Sequence, residues 1–129
     1  MIGYAMYGTN DAARAHGFYD AVLGAVGIGR LMEFPTGAVA YGVAWDKPML
    51  AIGAPYDGKP ASVGNGAMMS LAFDKRAHVD AIYAAAMAAG AADEGAPGVR
   101  GEEGPQAFYG AYFRDLDGNK LCAFCVGPA

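Results

Sequence analysis

The chain repeats itself, and the repeat limits what it can fold into. Laid over itself with an offset of 63 residues, His16–Gly27 falls on Val79–Gly90 and Asp11 falls on Asp74. Both stretches have the spacing of helices that bury one face. Phe18, Val22 and Leu23, with Tyr19 beside them, mark the first stripe, and Val79, Ile82, Tyr83 and Met87 mark the second. Asp11 and Asp74 stand where helix caps belong, and both helices run out at a glycine. A strand of alternating character precedes each helix, Gly3–Gly8 and Met68–Phe73.

After the first helix come three strand-like pieces, Arg30–Phe34, Val39–Trp45 and Met49–Ala54, divided by Pro35–Thr36–Gly37 and Asp46–Lys47–Pro48. After the second come a Gly/Pro-rich loop, Gly90–Pro105, and two strands, Ala107–Arg114 and Lys120–Val126. Tyr56–Gly66 (YDGKPASVGNG) is polar and rich in turn formers, so it reads as a linker. The expected division is a single domain over 1–129, with one module at about 1–57, a linker at about 58–66 and a second module at about 67–129. One helix cannot cover both faces of its sheet. The second half shows only two strands after its helix, but its repeat of the first half's order predicts two such units side by side, an α+β fold of tandem βαβββ modules. They form a curved, mostly antiparallel sheet with helices on its convex face and a concave groove where a ligand would sit.

Composition removes several functions. With 13 acidic against 9 basic residues the net charge is −4, which repels nucleic-acid phosphates. No basic amphipathic stretch offers a membrane surface. No run approaches the roughly 18 apolar residues of a spanning helix. The start, MIGYAMYGTND, lacks a basic n-region and meets Asn and Asp too early for a signal peptide. The expectation is a cytoplasmic protein that binds neither nucleic acid nor membrane.

Cys122 and Cys125 form CAFC, a spacing known from zinc and redox sites. Here it falls within a strand. Residues three apart on a strand lie roughly 10 Å apart on opposite faces, beyond the ~7 Å Cα separation of a disulfide. Two free thiols in different surroundings are expected.

GTNDAARAHGFYDAVLGAVG, with its Asp after the first strand, Phe-Tyr in the helix and Leu-Gly beyond, resembles the opening of the vicinal oxygen chelate superfamily. This group contains glyoxalase I, extradiol dioxygenases and bleomycin- and fosfomycin-resistance proteins. FYGAYFRDLDGNKL resembles its closing hairpin, although Leu116 stands where Pro is usual, and DEGAPGVR (Asp93–Arg100) is similar to the link before that hairpin. The resemblance covers essentially the whole chain. It implies paired βαβββ modules, assembly as a homodimer, and a divalent metal held by His, Gln or Glu.

Carried over position by position, the implied metal ligands fall on Tyr4, on Met68 and on Cys122, while the strand near Leu50–Gly53 (LAIG) offers none. Hard cations need oxygen or imidazole donors, so neither a metal nor any other cofactor is expected. A register slip of one residue brings in only Gly3 or Ala5, and Met69 or Ala67. The histidines, His16 and His78, both lie on helices away from the groove.

Strand alternation places Lys120, Cys122 and Phe124 on the groove face, with Leu121, Ala123 and Cys125 toward the helices. A turn over Asp115–Asn119 would pair Arg114 with Lys120 and Tyr112 with Cys122, leaving Ala111 and Phe113 in the core. The candidate ligand-binding residues are Tyr4, Met6, Trp45, Met68, Ser70, Arg100, Tyr112, Arg114 and Cys122. Tyr hydroxyls and Ser70 can donate hydrogen bonds. Arg100 or Arg114 can clamp an anion, and Trp45 can stack on a flat ligand. Plainer roles exist for each: methionines filling core gaps, Arg114 paired with the adjacent Asp115, Trp45 packed in a dimer interface. No catalytic residue is assigned.

These residues favour a glyoxalase/bleomycin-resistance-like protein with a degenerate, metal-free groove for a small apolar or aromatic molecule. The alternatives are a glyoxalase I-like lyase acting on an oxygenated or thiol-conjugated substrate, and a non-catalytic structural or regulatory dimer.

Overall fold

The computed structural model describes residues 1–129. Its elements run β1 (Tyr4–Gly8), α1 (Ala12–Gly24), β2 (Gly29–Glu33), β3 (Val39–Gly42), β4 (Met49–Gly53), β5 (Met69–Ala72), α2 (Arg76–Ala88), β6 (Ala92–Arg100), β7 (Phe108–Arg114) and β8 (Lys120–Val126). The tandem βαβββ arrangement is present. The strands form two open four-stranded sheets, β1-β4-β3-β2 and β5-β8-β7-β6. In each, the first strand of the module runs parallel to the last and the other pairings are antiparallel.

Each helix covers one face of its sheet. Asp11 caps α1, its Oδ1 accepting from the Arg14 N–H at 3.1 Å. Phe18, Tyr19, Val22 and Leu23 from α1 join Val79, Ile82 and Ala86 from α2 in one cluster with Val39, Tyr41, Leu50, Ile52, Phe113, Leu121, Ala123 and Cys125. At roughly 1.5–3 kcal/mol for each large apolar side chain removed from water, this shared interior is the main force holding the modules together. Gly27 and Gly90 adopt positive φ (78° and 99°), and the residue after each donates to a carbonyl five residues back. Both helices therefore end in the same left-handed cap.

The repeat is less regular at the helix starts. Asp74 does not cap α2. The helix begins later relative to its glycine, and Lys75 holds the cap position without a side-chain hydrogen bond. The stretch read as the loop Gly90–Pro105 contains β6, the outer strand of the second sheet. Its glycines and Pro97 hide a strand because β6 is an edge, where irregular pairing is tolerated. Its register against β7 shifts twice, between Asp93 and Gly95 and between Gly95 and Gly98.

The modules meet at a corner. The turn between β7 and β8 lies against the β1–α1 junction. Tyr7 donates to the Lys120 carbonyl at 2.6 Å, Asn119 Nδ2 to the Gly8 carbonyl at 3.0 Å, and Arg14 Nη2 to the Leu116 carbonyl at 2.8 Å. The Asn10 N–H donates to Asp117 Oδ1 at 3.0 Å. The Asn10 side chain also grips the linker, accepting from the Ala61 N–H and donating to the Ala61 carbonyl. The linker thus crosses the corner on a fixed path.

Candidate functional site

The face of each sheet turned away from the helices is where a ligand can be met. On the second sheet the expected pairings hold: Arg114 lies opposite Lys120, and Tyr112 opposite Cys122. Cys122 also pairs with Ser70 on β5. Ser70, Cys122 and Tyr112 therefore form a row across β5, β8 and β7. Leu121, Ala123, Cys125, Ala111 and Phe113 fill the core side, as alternation requires.

The row is weakly polar and electrically quiet. Both cysteines are free thiols. Cys122 is only 1 % exposed, and burial pushes its thiol up from the ordinary range. The Tyr112 and Ser70 side chains beside it, and more weakly the Arg100 and Lys120 charges, pull the other way. Burial, followed by the neighbouring Cys122, likewise raises the Tyr112 phenol. Both groups stay protonated near neutrality and act as hydrogen-bonding groups. A thiol held neutral is a poor nucleophile.

Cations flank the Tyr112 ring. The Arg100 guanidinium lies 5.5 Å from its centroid and Lys120 Nζ lies 5.6 Å from it. Both distances are within cation–π reach. Arg100 also donates to the Gly98 and Ala96 carbonyls, so its head is tied to β6. Arg114 does not pair with the adjacent Asp115. Its Nε donates to Glu94 Oε1 at 2.6 Å and its Nη1 to the Gly118 carbonyl. Asp115 is turned inward, with its oxygens accepting from backbone N–H groups of its own turn, from Asn119 Nδ2 and from Tyr19.

Beside the row lies a cleft of ≈ 520 Å3 lined by Val63, Gly64, Asn65, Gly66, Ala67, Met68, Arg114 and Lys120. A second cleft, ≈ 430 Å3, is lined by Met6, Gly8, Pro55, Tyr56, Asp57, Pro60, Ala61 and Ser62. The linker supplies a wall to both.

The expected site residues thus fall into groups. Met68 and Arg114 share the first cleft, with Ser70, Cys122, Tyr112 and Arg100 on the sheet face beside it. Met6 belongs to the second cleft. Tyr4, 61 % exposed, and Trp45, 63 % exposed, line neither. Trp45 follows β3 in a turn rather than ending the strand. Sequence reasoning missed the linker, whose polar composition gives no sign that residues 63–67 wall a cavity. It also left Lys120 out of the candidate set, although alternation had put that side chain on the right face.

The residues do not fit the hard divalent cation that the sequence resemblance implies. No three His, Cys, Asp or Glu side chains converge anywhere in the chain. β4 presents Ala51 and Gly53 on its open side, and His16 is buried in the core, its Nε2 3.1 Å from the Ile52 carbonyl. His78 lies edge-on to Phe73, with centroids 6.1 Å apart.

Residues 1–123 match the family model described as Glyoxalase/Bleomycin resistance protein/Dioxygenase superfamily. No curated protein matches the chain by sequence. Among solved structures, the chain is similar to a glyoxalase/bleomycin resistance protein from Albidiferax ferrireducens T118, at 36% identity and TM-score 0.85, covering 97% of this chain and 98% of that one. It shares its fold with a glyoxalase/bleomycin resistance protein/dioxygenase family enzyme from Burkholderia phytofirmans PsJN, at 20% identity and TM-score 0.69 over 96% and 97% of the two chains. The same holds for a lactoylglutathione lyase from Agrobacterium tumefaciens, at 21% identity and TM-score 0.65 over 97% and 92%. Two βαβββ modules around one core, the family model along nearly the whole length and a relative at 36% identity place this chain in the glyoxalase/bleomycin resistance protein/dioxygenase superfamily.

Proposed function

We propose that this protein binds a small apolar or aromatic molecule on the open face of its second module, without a metal ion, and that it works as a cytoplasmic homodimer. The observation that carries the binding reading is the makeup of that face. The Met68 thioether lines a cleft of ≈ 520 Å3 whose lining holds neither imidazole nor carboxylate, and the Ser70 hydroxyl, Cys122 thiol and Tyr112 phenol form a row on the sheet face beside it. Such a lining offers contact area and a few hydrogen bonds, but no hard-cation cage. The two unbonded thiols suit a reducing compartment. Pairing of two copies is supported by the exposed Tyr4, Met6, Val43, Trp45 and Tyr56 and by β1 and β5, each with one edge unpaired in its sheet.

The test is a thermal-shift and calorimetric screen of aromatic small molecules, run on protein stripped with chelator and on protein supplied with Zn, Ni or Mn. A binder should raise the melting temperature equally in both preparations. Binding abolished by chelator, or turnover of methylglyoxal with glutathione on metal addition, would replace this reading with a metal-dependent lyase. Light scattering reads the dimer: a mass of one chain at micromolar concentration would remove that part.

A further inference from the structure

We infer that the ligand is an anion: a small aromatic or aliphatic acid whose negative group meets Lys120 in the lining of the first cleft. This rests on the binding reading above and names the charge of its ligand. Two cations line the cleft, Arg114 and Lys120, and no acid does. Arg114 is already matched, since its Nε holds Glu94 at 2.6 Å. Lys120 is in no ion pair and no side-chain hydrogen bond. Its ammonium lies over the Tyr112 ring, 5.6 Å from the centroid.

The placement is specific within the chain. The net charge is −4, so an unmatched cation lining a cleft runs against the overall field and attracts anions locally. The Lys120 backbone is fixed by its pairing with Arg114 and by the Tyr7 hydroxyl on its carbonyl. Its flexible stem can still carry the head toward a bound group. Val63, Ala67 and Met68 give the same lining its apolar part, and Asn65 lines it too. A molecule with a hydrocarbon or ring body and one carboxylate or sulfonate satisfies both parts. A neutral molecule leaves the ammonium unmatched, and a dication is repelled.

The experiment compares two fluorescent probes with similar aromatic bodies. 8-Anilinonaphthalene-1-sulfonate is anionic, and N-phenyl-1-naphthylamine is neutral. Each is titrated into the wild-type protein, into Lys120→Gln and into Lys59→Gln, a lysine outside the cleft, at low and high salt. The anionic probe should bind the wild type more tightly than the neutral one. It should lose roughly tenfold in affinity in Lys120→Gln, the worth of one charge-assisted hydrogen bond, and lose affinity with salt. The neutral probe should bind all three proteins alike, and Lys59→Gln should match the wild type. Lys120→Gln removes no side-chain hydrogen bond, so its melting temperature serves as the folding control. If the neutral probe binds and the anionic probe binds no tighter, or is unaffected by Lys120→Gln, the anion inference fails while the binding reading stands. If neither probe binds the wild type, the binding reading fails and the inference falls with it.

Discussion

The Tyr19 hydroxyl donates to Asp115 Oδ2 at 2.6 Å, joining a helix of the first module to the β7–β8 turn of the second. Tyr19 is 1 % exposed and Asp115 is buried. The carboxylate also accepts from the Asp117 and Asn119 N–H groups and from Asn119 Nδ2. It is a buried charge satisfied on all sides, the condition under which such a group is tolerated. Tyr19→Phe should cost about 1–3 kcal/mol, the desolvation penalty of a buried group left one partner short. Asp115→Ala should cost more, since it strips partners from four donors. A double-mutant cycle in urea should show coupling of about 0.5–3 kcal/mol between the two sites. Additive effects would mean the bond contributes nothing.

Alkali should unfold the protein early. Burial, and then the Asp115 charge, holds the Tyr19 phenol far above its ordinary value of 10.0. Burial followed by the bond to Asp20 does the same for Tyr41. A phenol whose folded value is raised stabilises fully below the unfolded value. Above it, the unfolded chain gives up a proton that the folded chain keeps, so stability falls as pH rises. Each such tyrosine should remove about 1.4 kcal/mol per pH unit above pH 10. Melting temperatures between pH 8 and pH 11.5 check this. In Tyr19→Phe the alkaline decline should be shallower, although the protein starts less stable.

The cysteines should be silent in the native state. A thiol-reactive dye should label neither Cys122 nor Cys125 at pH 7.5 on the timescale of a free thiol, and both on addition of denaturant. Mass spectrometry of the native protein should find both reduced. Rapid labelling at Cys122 would mean that the sheet face opens or that the thiol is ionised, and would revive a nucleophilic role.

Gly53→Ala should be poorly tolerated. A Cβ there would lie 2.6 Å from Ala38 Cβ and 2.9 Å from Ala38 Cα. The obstacle is partly backbone, so β3 and β4 must part. The expected cost is about 1–3 kcal/mol, typical of overpacking, read as a lower urea midpoint. Gly17→Ala, on α1 with nothing within 4 Å of the added carbon, should instead be neutral or stabilising.

Most of the fold could be read from the residues because the repeat supplied each module with a second copy of its pattern. Val79 and Ile82 stand where His16 and Tyr19 stand in the first module, and Gly90 where Gly27 does. Alternation along Lys120–Val126 assigned core and open faces correctly, since that strand lies inside its sheet, where register is tied to burial. The failures came where burial exerts little selection. β6 is an edge whose pairing with β7 breaks twice, so Asp93–Arg100 showed no period. Symmetry with Asp11 points to Asp74 as a cap, but the second helix starts off the repeat, with Lys75 at the cap position. Of the roles the sequence allows Arg114, the pair with adjacent Asp115 is absent, because its partner Glu94 sits on β6, far off in sequence. The cleft itself depends on where the linker lies. That path is held by Asn10 and Ala61, 51 positions apart, a contact no local pattern announces.

The corner contacts bear on what the connecting segment is for. The halves are joined by an interior they share and by hydrogen bonds from Tyr7, Arg14, Tyr19 and Asn119. None of these runs through the covalent bridge between the halves. A chain nicked in the exposed turn at Asp57–Gly58 should therefore stay together, and fragments expressed apart should find one another. The tether shapes the cavities and speeds assembly; the affinity between the halves lies elsewhere.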